Sequence, residues 1–213
     1  MSIDIDIRNI RRDYNLAELN ENNLRNDPLE LFEIWLQEAL EKEIKEPNAM
    51  ALSTVEENKP NTRIVLLKQI KEGKFLFFTN YNSNKAKEIE KNPNVSLTFF
   101  WEELQRQVRV EGIAQKSSEE VSVEYFSMRA RDSQIAAWVS EQSSPMSKNE
   151  IENRLSYFRE KFENKVIPKP SHWGAYEITP LSIEFWQGGP NRLHDRFLYE
   201  LVENKWQKKR LGP

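Results

Sequence analysis

The chain has 213 residues, 38% of them hydrophobic, enough to bury a full core as one compact domain. Its 31 basic and 34 acidic residues leave a formal charge of −3, so bulk attraction to nucleic acid or an anionic membrane is not implied. Zero cysteines exclude disulfides, thiolate nucleophiles and cysteine metal sites, and two histidines, His172 and His194, argue against a multi-histidine metal centre.

The opening Met-Ser-Ile-Asp-Ile-Asp has neither a basic region nor an apolar one after it, and no later stretch approaches membrane-spanning length. A soluble cytoplasmic protein is the expectation. Residues 1–26 are polar and charged and read as a mobile arm, ahead of a single domain over 27–213. Asp27-Pro28-Leu29-Glu30 starts a helix: an N-cap, a proline at the first position and an acid in the first turn. Leu29, Phe32, Leu36, Leu40 and Ile44 form its apolar stripe until Pro47.

Strands are expected at 49–55, 62–69 and 74–79. Ser83 caps a short helix through Lys91, and two further strands follow at 95–101 and 105–115. Segments 118–128 and 133–139 read as helices. Ser147-Lys-Asn-Glu150 is a capping box opening a helix that carries Ile151, Leu155, Phe158 and Phe162. Beyond Pro168-Lys-Pro170 the chain returns to strands. Six glycines are few for a nucleotide-binding α/β protein, and the strands follow one another without regular crossover helices. The fold class expected is therefore α+β, an antiparallel sheet with a barrel-like curl and peripheral helices.

Gly-x-Gly-x-x-Gly, Walker A, Gly-x-Ser-x-Gly and His-Glu-x-x-His are all absent. A phosphorylated ligand would have to be gripped by charged side chains. Four segments offer them. Arg63-Ile-Val-Leu-Leu-Lys68 is an apolar strand between two cations. In a straight strand these point to opposite faces, so they serve different ligands, or the same pocket only if a bulge intervenes. Snorkelling at a buried strand's ends is the plain alternative. Thr79-Asn-Tyr-Asn-Ser-Asn-Lys85 leads a strand end into a helix N-terminus, either an anion site or an ordinary cap. Tyr125 and Arg129 lie four apart on a helix with Ser133 a further turn along, a donor row fit for phosphate or a surface helix with a snorkelled arginine.

The fourth segment runs Phe185-Trp-Gln-Gly-Gly-Pro-Asn-Arg-Leu-His-Asp-Arg-Phe197. Gly188 to Asn191 reads as a tight hairpin turn. On the outgoing strand Arg192, His194 and Arg196 are expected to leave one face, with Leu193 and Phe197 packing on the other. Three potential cations in a row repel one another unless something anionic or electron-rich lies opposite. The face is either a binding site, favoured by Trp186 and the double glycine, or a solvated strand.

Together these segments resemble the pyridoxine (pyridoxamine) 5′-phosphate oxidases, from about Arg11 to Pro213. The carriers are Arg63-Ile-Val-Leu-Leu-Lys68, Arg131-Asp-Ser-Gln-Ile-Ala-Ala-Trp138, Phe185-Trp-Gln-Gly-Gly189 and Arg192-Leu-His-Asp-Arg-Phe197. The resemblance implies an antiparallel split β-barrel homodimer with FMN at the subunit interface. It implies oxidation of pyridoxine or pyridoxamine 5′-phosphate to pyridoxal 5′-phosphate by O2, with hydrogen peroxide and, from the amine, ammonia released.

Implied FMN contacts are Arg63, Ile64, Val65, Leu66, Leu67, Lys68, Phe78, Thr79, Asn84, Lys85, Gln107, Gln142, Ser143, Trp186 and Arg196. The substrate phosphate would meet Lys68, Tyr125, Arg129 and Ser133. Arg192, Leu193 and His194 would flank the pyridine ring, with Arg192 and His194 the catalytic pair, and Arg11 and Tyr14 would close over it. Asn84 departs from the arginine usual before the lysine, removing one charged contact to the FMN phosphate. Phe78 replaces the usual tyrosine. Two other functions remain open: a flavin-binding split-barrel carrier or sensor without catalysis, and a single-stranded nucleic-acid binder stacking bases on Trp101, Trp138 and Trp186. The near-neutral charge argues against the latter.

Overall fold

The structure is a computed structural model that describes residues 6–9 and 12–213, so Arg11 lies outside the described residues. In chain order the elements are α1 (Pro28–Glu41), β1 (Ala49–Glu56), β2 (Lys59–Leu66), β3 (Gln69–Lys71), β4 (Lys74–Asn80), α2 (Asn84–Lys91) and β5 (Asn94–Trp101). They continue with β6 (Arg106–Lys116), α3 (Glu119–Met128), α4 (Arg131–Val139), α5 (Lys148–Lys161), β7 (Trp173–Gln187), β8 (Asp195–Val202) and β9 (Lys205–Leu211). The class is α+β, and the expected strands appear with shifted ends. Among the described residues no helix is long and apolar enough to cross a membrane.

The strands form one sheet in the order β2-β1-β5-β6-β7-β4-β3, and β8 pairs with β7 and carries β9. The registers of β1 with β2 and β5, of β4 with β3 and β7, and of β8 with β7 and β9 are antiparallel. The barrel expected from the sequence is not closed. Its two ends, β2 and β3, are joined by Leu67 and Lys68 alone. The Leu67 N–H donates to the Asn48 carbonyl at 2.8 Å and the Lys68 N–H to the Leu76 carbonyl at 2.9 Å. The link changes partners from β1 to β4 instead of turning back, so β2 and β3 form no ladder with each other.

Packing divides the chain into two compact units. One takes the described residues up to Pro47 with Phe99–Arg109 and Ser182–Pro213; the other takes Asn48–Thr98 and Val110–Leu181. In the first unit, the Asp27 carboxylate accepts the Leu29 N–H at 2.9 Å and Pro28 opens α1, as its sequence dictates. The buried face, however, is Pro28, Leu31, Phe32, Trp35 and Ala39; Leu40 is 53% exposed and the helix stops at Glu41, short of Ile44. Both stripes have helical spacing and share Phe32. Trp35 decides between them, because its large ring packs edge-on to Phe185 at 5.1 Å while Phe32 meets Phe99 at 4.9 Å.

The segment expected as an arm has fixed points in this unit. Leu19 and Leu24 are buried, at about 1.5–3 kcal/mol each for a fully buried leucine. The Leu19 N–H donates to Asp195 at 3.1 Å, and the Arg25 carbonyl accepts the Tyr199 hydroxyl at 2.9 Å.

In the second unit, Phe126, Ile135, Ala137, Val139, Phe162, Ile167 and Trp173 form a buried cluster. The Ser147–Glu150 capping box forms in both directions. α5 itself buries no residue: Leu155 and Phe158 lean on the cluster, Phe162 just beyond the helix end is buried, and Ile151 is 43% exposed.

Candidate active site

Beside the partner change at Leu67–Lys68 lies a cavity of about 540 Å³ in the second unit, a size suited to a cofactor. Its walls are Arg63, Ile64, Val65, Leu66, Lys68, Phe78, Thr79, Asn84, Lys85, Gln142 and Ser143. Arg63 and Lys68 therefore share one cavity. The bulge expected to allow this is not there: β2 pairs with β1 in unbroken register and ends at Leu66, so Lys68 reaches the cavity because it lies beyond the strand's alternation. Leu67, expected beside the cofactor, is instead 5% exposed and does not line the cavity. Its side chain falls on the core side of the link.

The charges explain what this cavity suits. The Arg63 guanidinium donates to Glu88 at 2.9 Å, and Glu88 also accepts from the Asn61 amide at 3.0 Å and from the Thr54 hydroxyl. Glu88 is buried on α2, one turn after Lys85. Lys85 is also buried, and among the described residues its ammonium donates only to hydroxyls, Thr79 at 3.2 Å and Ser83 at 3.3 Å. Burial, then repulsion from Arg63, hold its pKa below the ordinary lysine range, with Glu88 opposing. The Asn84 N–H at the start of α2 donates to the Ser143 hydroxyl at 3.2 Å, and Thr79 donates to the Gln142 side-chain carbonyl at 3.3 Å. A buried cation held only by neutral groups, beside a guanidinium and a helix start, suits a doubly charged anion such as a phosphate monoester. Ile64, Val65 and Leu66 give the same cavity an apolar wall.

Phe78 connects this wall to a second cationic set. Its ring stacks on Tyr125 at 3.9 Å and on Trp173 at 5.3 Å. The Arg129 guanidinium lies over Trp173 at 4.7 Å, and its buried Nη1 has no hydrogen-bond partner among the described residues. Burial lowers its pKa. A buried N–H of a cation without an acceptor is costly, so this group awaits an anion. The single helical donor row expected through Ser133 is not formed. α3 ends at Met128 and Arg129 is extended, because the Phe126 carbonyl that would continue the helix accepts instead from the Arg129 N–H and the Gln134 amide. Ser133 lies separately on α4.

In the first unit, β7 and β8 form the expected hairpin, but their last pair is Gln187 with Asp195. The connection is thus residues 188–194, not a tight turn at Gly188–Asn191. A 3-10 turn occupies Pro190–Arg192, with Asn191 and Arg192 left-handed at φ 54° and 63°. Arg192 and His194 precede β8 and only Arg196 belongs to it, so the expected common strand face is lost. Leu193, expected to pack, is 68% exposed, while Phe197 is buried. The cause is local folding back: the Leu193 N–H donates to Pro190, and at Gly189 a Cβ would stand 2.5 Å from the Leu193 carbonyl oxygen.

This loop nevertheless gathers aromatic groups. The His194 ring lies 4.7 Å from Trp186, and Tyr14 meets each at 5.7 Å. The Gly189 N–H donates to His194 Nδ1 at 3.1 Å, which leaves the proton of the neutral ring on Nε2. Arg196 donates to Glu184 at 2.8 Å and to the Gly212 carbonyl at 2.9 Å, and Arg109 reaches the same carboxylate at 3.2 Å. Gln107 is half-buried on β6. Glu88, Glu184 and Gln105 are polar residues of these sites that sequence reasoning missed. Nothing local to these three residues links them to their partners Arg63, Arg196 and Asn15.

Residues 36–159 match the family described as pyridoxamine 5′-phosphate oxidase, more than half of the chain. The chain belongs to that family. Residues 173–213 match the pyridoxine 5′-phosphate oxidase C-terminal dimerisation region. Among curated relatives, a pyridoxine/pyridoxamine 5′-phosphate oxidase of Actinobacillus pleuropneumoniae serotype 5b is 49% identical over 210 residues, covering 98% of this chain and 100% of the relative. A pyridoxine/pyridoxamine 5′-phosphate oxidase 2 of Hydrogenovibrio crunogenus is 49% identical at 98% and 99% coverage. Among solved structures, PhzG of Burkholderia lata is similar with a TM-score of 0.87 at 23% identity, covering 93% of this chain and 99% of that one. A pyridoxamine 5′-phosphate oxidase-related, FMN-binding protein of Nostoc punctiforme gives 0.72 at 15% identity, covering 88% and 98%. These two carry the fold alone.

Proposed function

We propose that the chain is an FMN-dependent oxidase that converts pyridoxine and pyridoxamine 5′-phosphate to pyridoxal 5′-phosphate. Oxygen takes up the two electrons as hydrogen peroxide, and with the amine substrate water hydrolyses the oxidised C=N bond to release ammonia. The observation that carries this reading is the pair of anion-seeking sets that meet the wall containing Phe78: Arg63 with Lys85, and Arg129 with Tyr125. One suits the phosphate of a cofactor and the other the phosphate of a substrate. Identity of 49% end to end with pyridoxine/pyridoxamine 5′-phosphate oxidases supports the same reaction.

FMN, when bound, supplies a two-electron acceptor that no side chain of this cysteine-free chain provides. Arg63 and Lys85 hold its phosphate, aided by the Asn84 N–H and by Thr79, Gln142 and Ser143, with Lys68 at the cavity rim. Ile64, Val65 and Leu66 give the apolar surface for its ring system. Gln107, Trp186 and Arg196 are assigned to the same cofactor. Lys68, Tyr125, Arg129 and Ser133 hold the substrate phosphate.

Arg192 covers the pyridine ring, its planar guanidinium offsetting charge that develops as C4′ is oxidised, with Leu193 beside it. His194, with Nδ1 fixed by Gly189, offers Nε2–H to the substrate and moves a proton there. Tyr14 closes over the ring and keeps water out. The active form is a homodimer with FMN at the interface between its subunits, and it works in the cytoplasm.

The test is aerobic incubation of the FMN-loaded protein with pyridoxamine 5′-phosphate. Equal amounts of pyridoxal 5′-phosphate, peroxide and ammonia are expected. A yellow protein that makes none of them is a flavin carrier or sensor, and the oxidase reading falls.

A further inference from the structure

We infer that Gln105 is a positioning residue that seats Tyr14 against Trp186 and His194. Gln105 sits between β5 and β6, is 7% exposed, and adopts a left-handed backbone at φ 53° and ψ 42°. That conformation is disfavoured for a residue with a Cβ and persists only where the surroundings determine it. Five hydrogen bonds do so, the first from its own N–H to the Glu102 carbonyl at 3.0 Å. The side-chain oxygen accepts the N–H of Asn15 at 3.0 Å and of Leu16 at 3.3 Å. The backbone carbonyl accepts the Gly188 N–H at 2.8 Å and the Gln187 side-chain amide at 3.2 Å. One residue thus ties the two positions after Tyr14 to the start of the loop that carries His194.

The seat itself is cut to fit. A Cβ on Gly188 would stand 2.8 Å from Tyr14 Cβ and Cγ, so the tyrosine rests directly on bare backbone. Gln105 holds that backbone through the Gly188 N–H and holds the chain above it through Asn15 and Leu16. Before Tyr14, the Arg12–Glu102 ion pair is mostly exposed on both sides and holds little, and the Leu19 N–H to Asp195 bond lies five residues beyond Tyr14. Only the acceptor oxygen of Gln105 enters the tether, so a carboxylate can replace the amide and a shorter side chain cannot. Gln105 acts through Tyr14 and touches neither substrate nor cofactor in this scheme.

The inference rests on the oxidase reading for its kinetic arm and not for its structural arm. Gln105→Asn keeps a residue that tolerates the left-handed backbone and withdraws the acceptor by one bond, about 1.5 Å. It is expected to raise the KM for pyridoxamine 5′-phosphate about tenfold, in keeping with two ordinary hydrogen bonds. The kcat should change less than threefold, and Tm and FMN affinity should stay as in the parent protein. Trypsin cleavage after Arg12 in the FMN-loaded protein should quicken about tenfold. Gln105→Glu should restore both KM and protease resistance, which a residue needed only for packing would not predict. Parental KM and cleavage rate in Gln105→Asn would overturn the inference, as would failure of Gln105→Glu to restore them. A parent protein without oxidase activity would sink the oxidase reading and leave the cleavage comparison to decide on Gln105.

Discussion

Replacing Glu88 with alanine strands three donors at once: the Arg63 guanidinium, the Asn61 amide and the Thr54 hydroxyl. Removing one partner of a fully buried ion pair costs about 3–5 kcal/mol. The Glu88 side chain is 5% exposed but that of Arg63 is 23% exposed, so the arginine recovers part of its hydration. The loss expected is about 2–3 kcal/mol. In a chain of this length each kcal/mol moves Tm by about 2–4 °C, so the apoprotein should melt about 5–10 °C lower.

Among the described residues Glu88 is the acid paired with Arg63, so with it removed a bound phosphate takes over that pairing, and saturating FMN should recover more Tm in Glu88→Ala than it adds to the parent protein. Glu88→Gln, which keeps an acceptor for two of the donors, should lose less. Thermal unfolding at one fixed protein concentration, with and without FMN, reads all of these. A drop of under about 2 °C in the apoprotein would show that Glu88 does not organise Arg63, and the reasoning about this wall of the cavity would fail.

Lys85→Met should show the opposite trade. The buried ammonium burdens the apoprotein, since between its lowered folded pKa and 10.5 the unfolded chain binds more protons and stability rises with pH. The variant should melt no lower than the parent and lose that rise, while FMN affinity by fluorescence titration falls at least tenfold; a clearly lower apo Tm would refute this. Arg129→Ala should raise the KM for pyridoxamine 5′-phosphate by about 10–100-fold, the worth of a charged hydrogen bond; an unaltered KM removes Arg129 from the phosphate site. Arg192→Met should cut kcat far more than FMN affinity, and equal losses in both would contradict its place over the substrate ring.

The parts of this chain that were legible in its sequence are those set by near neighbours. Ser147 and Glu150 lie three apart and cap α5 from either side, and Asp27-Pro28 starts α1. The buried face of that helix was not legible, because two helical stripes pass through Phe32 and only contact with Phe185 selects Trp35. The loop before β8 was misread for a related reason. Spacing two is informative only inside a strand, and nothing local reveals that Arg192 turns left-handed before pairing begins.

The cavity's residue types were readable from motifs, since Arg63, Lys68 and Lys85 stand in their own segments. The groups that aim them were not. Glu88 finds Arg63 from 25 residues away and Gln105 finds Asn15 from 90, distances over which sequence pattern carries no signal. Asn84 contributes its backbone N–H to Ser143, a contact that does not depend on its side chain.

The most direct test follows the visible spectrum of the FMN-loaded protein without oxygen while pyridoxamine 5′-phosphate is added. Bleaching of the flavin band by one equivalent, with full recovery on admitting air, is the predicted result. A band that stays unchanged under excess substrate would contradict the account at its centre.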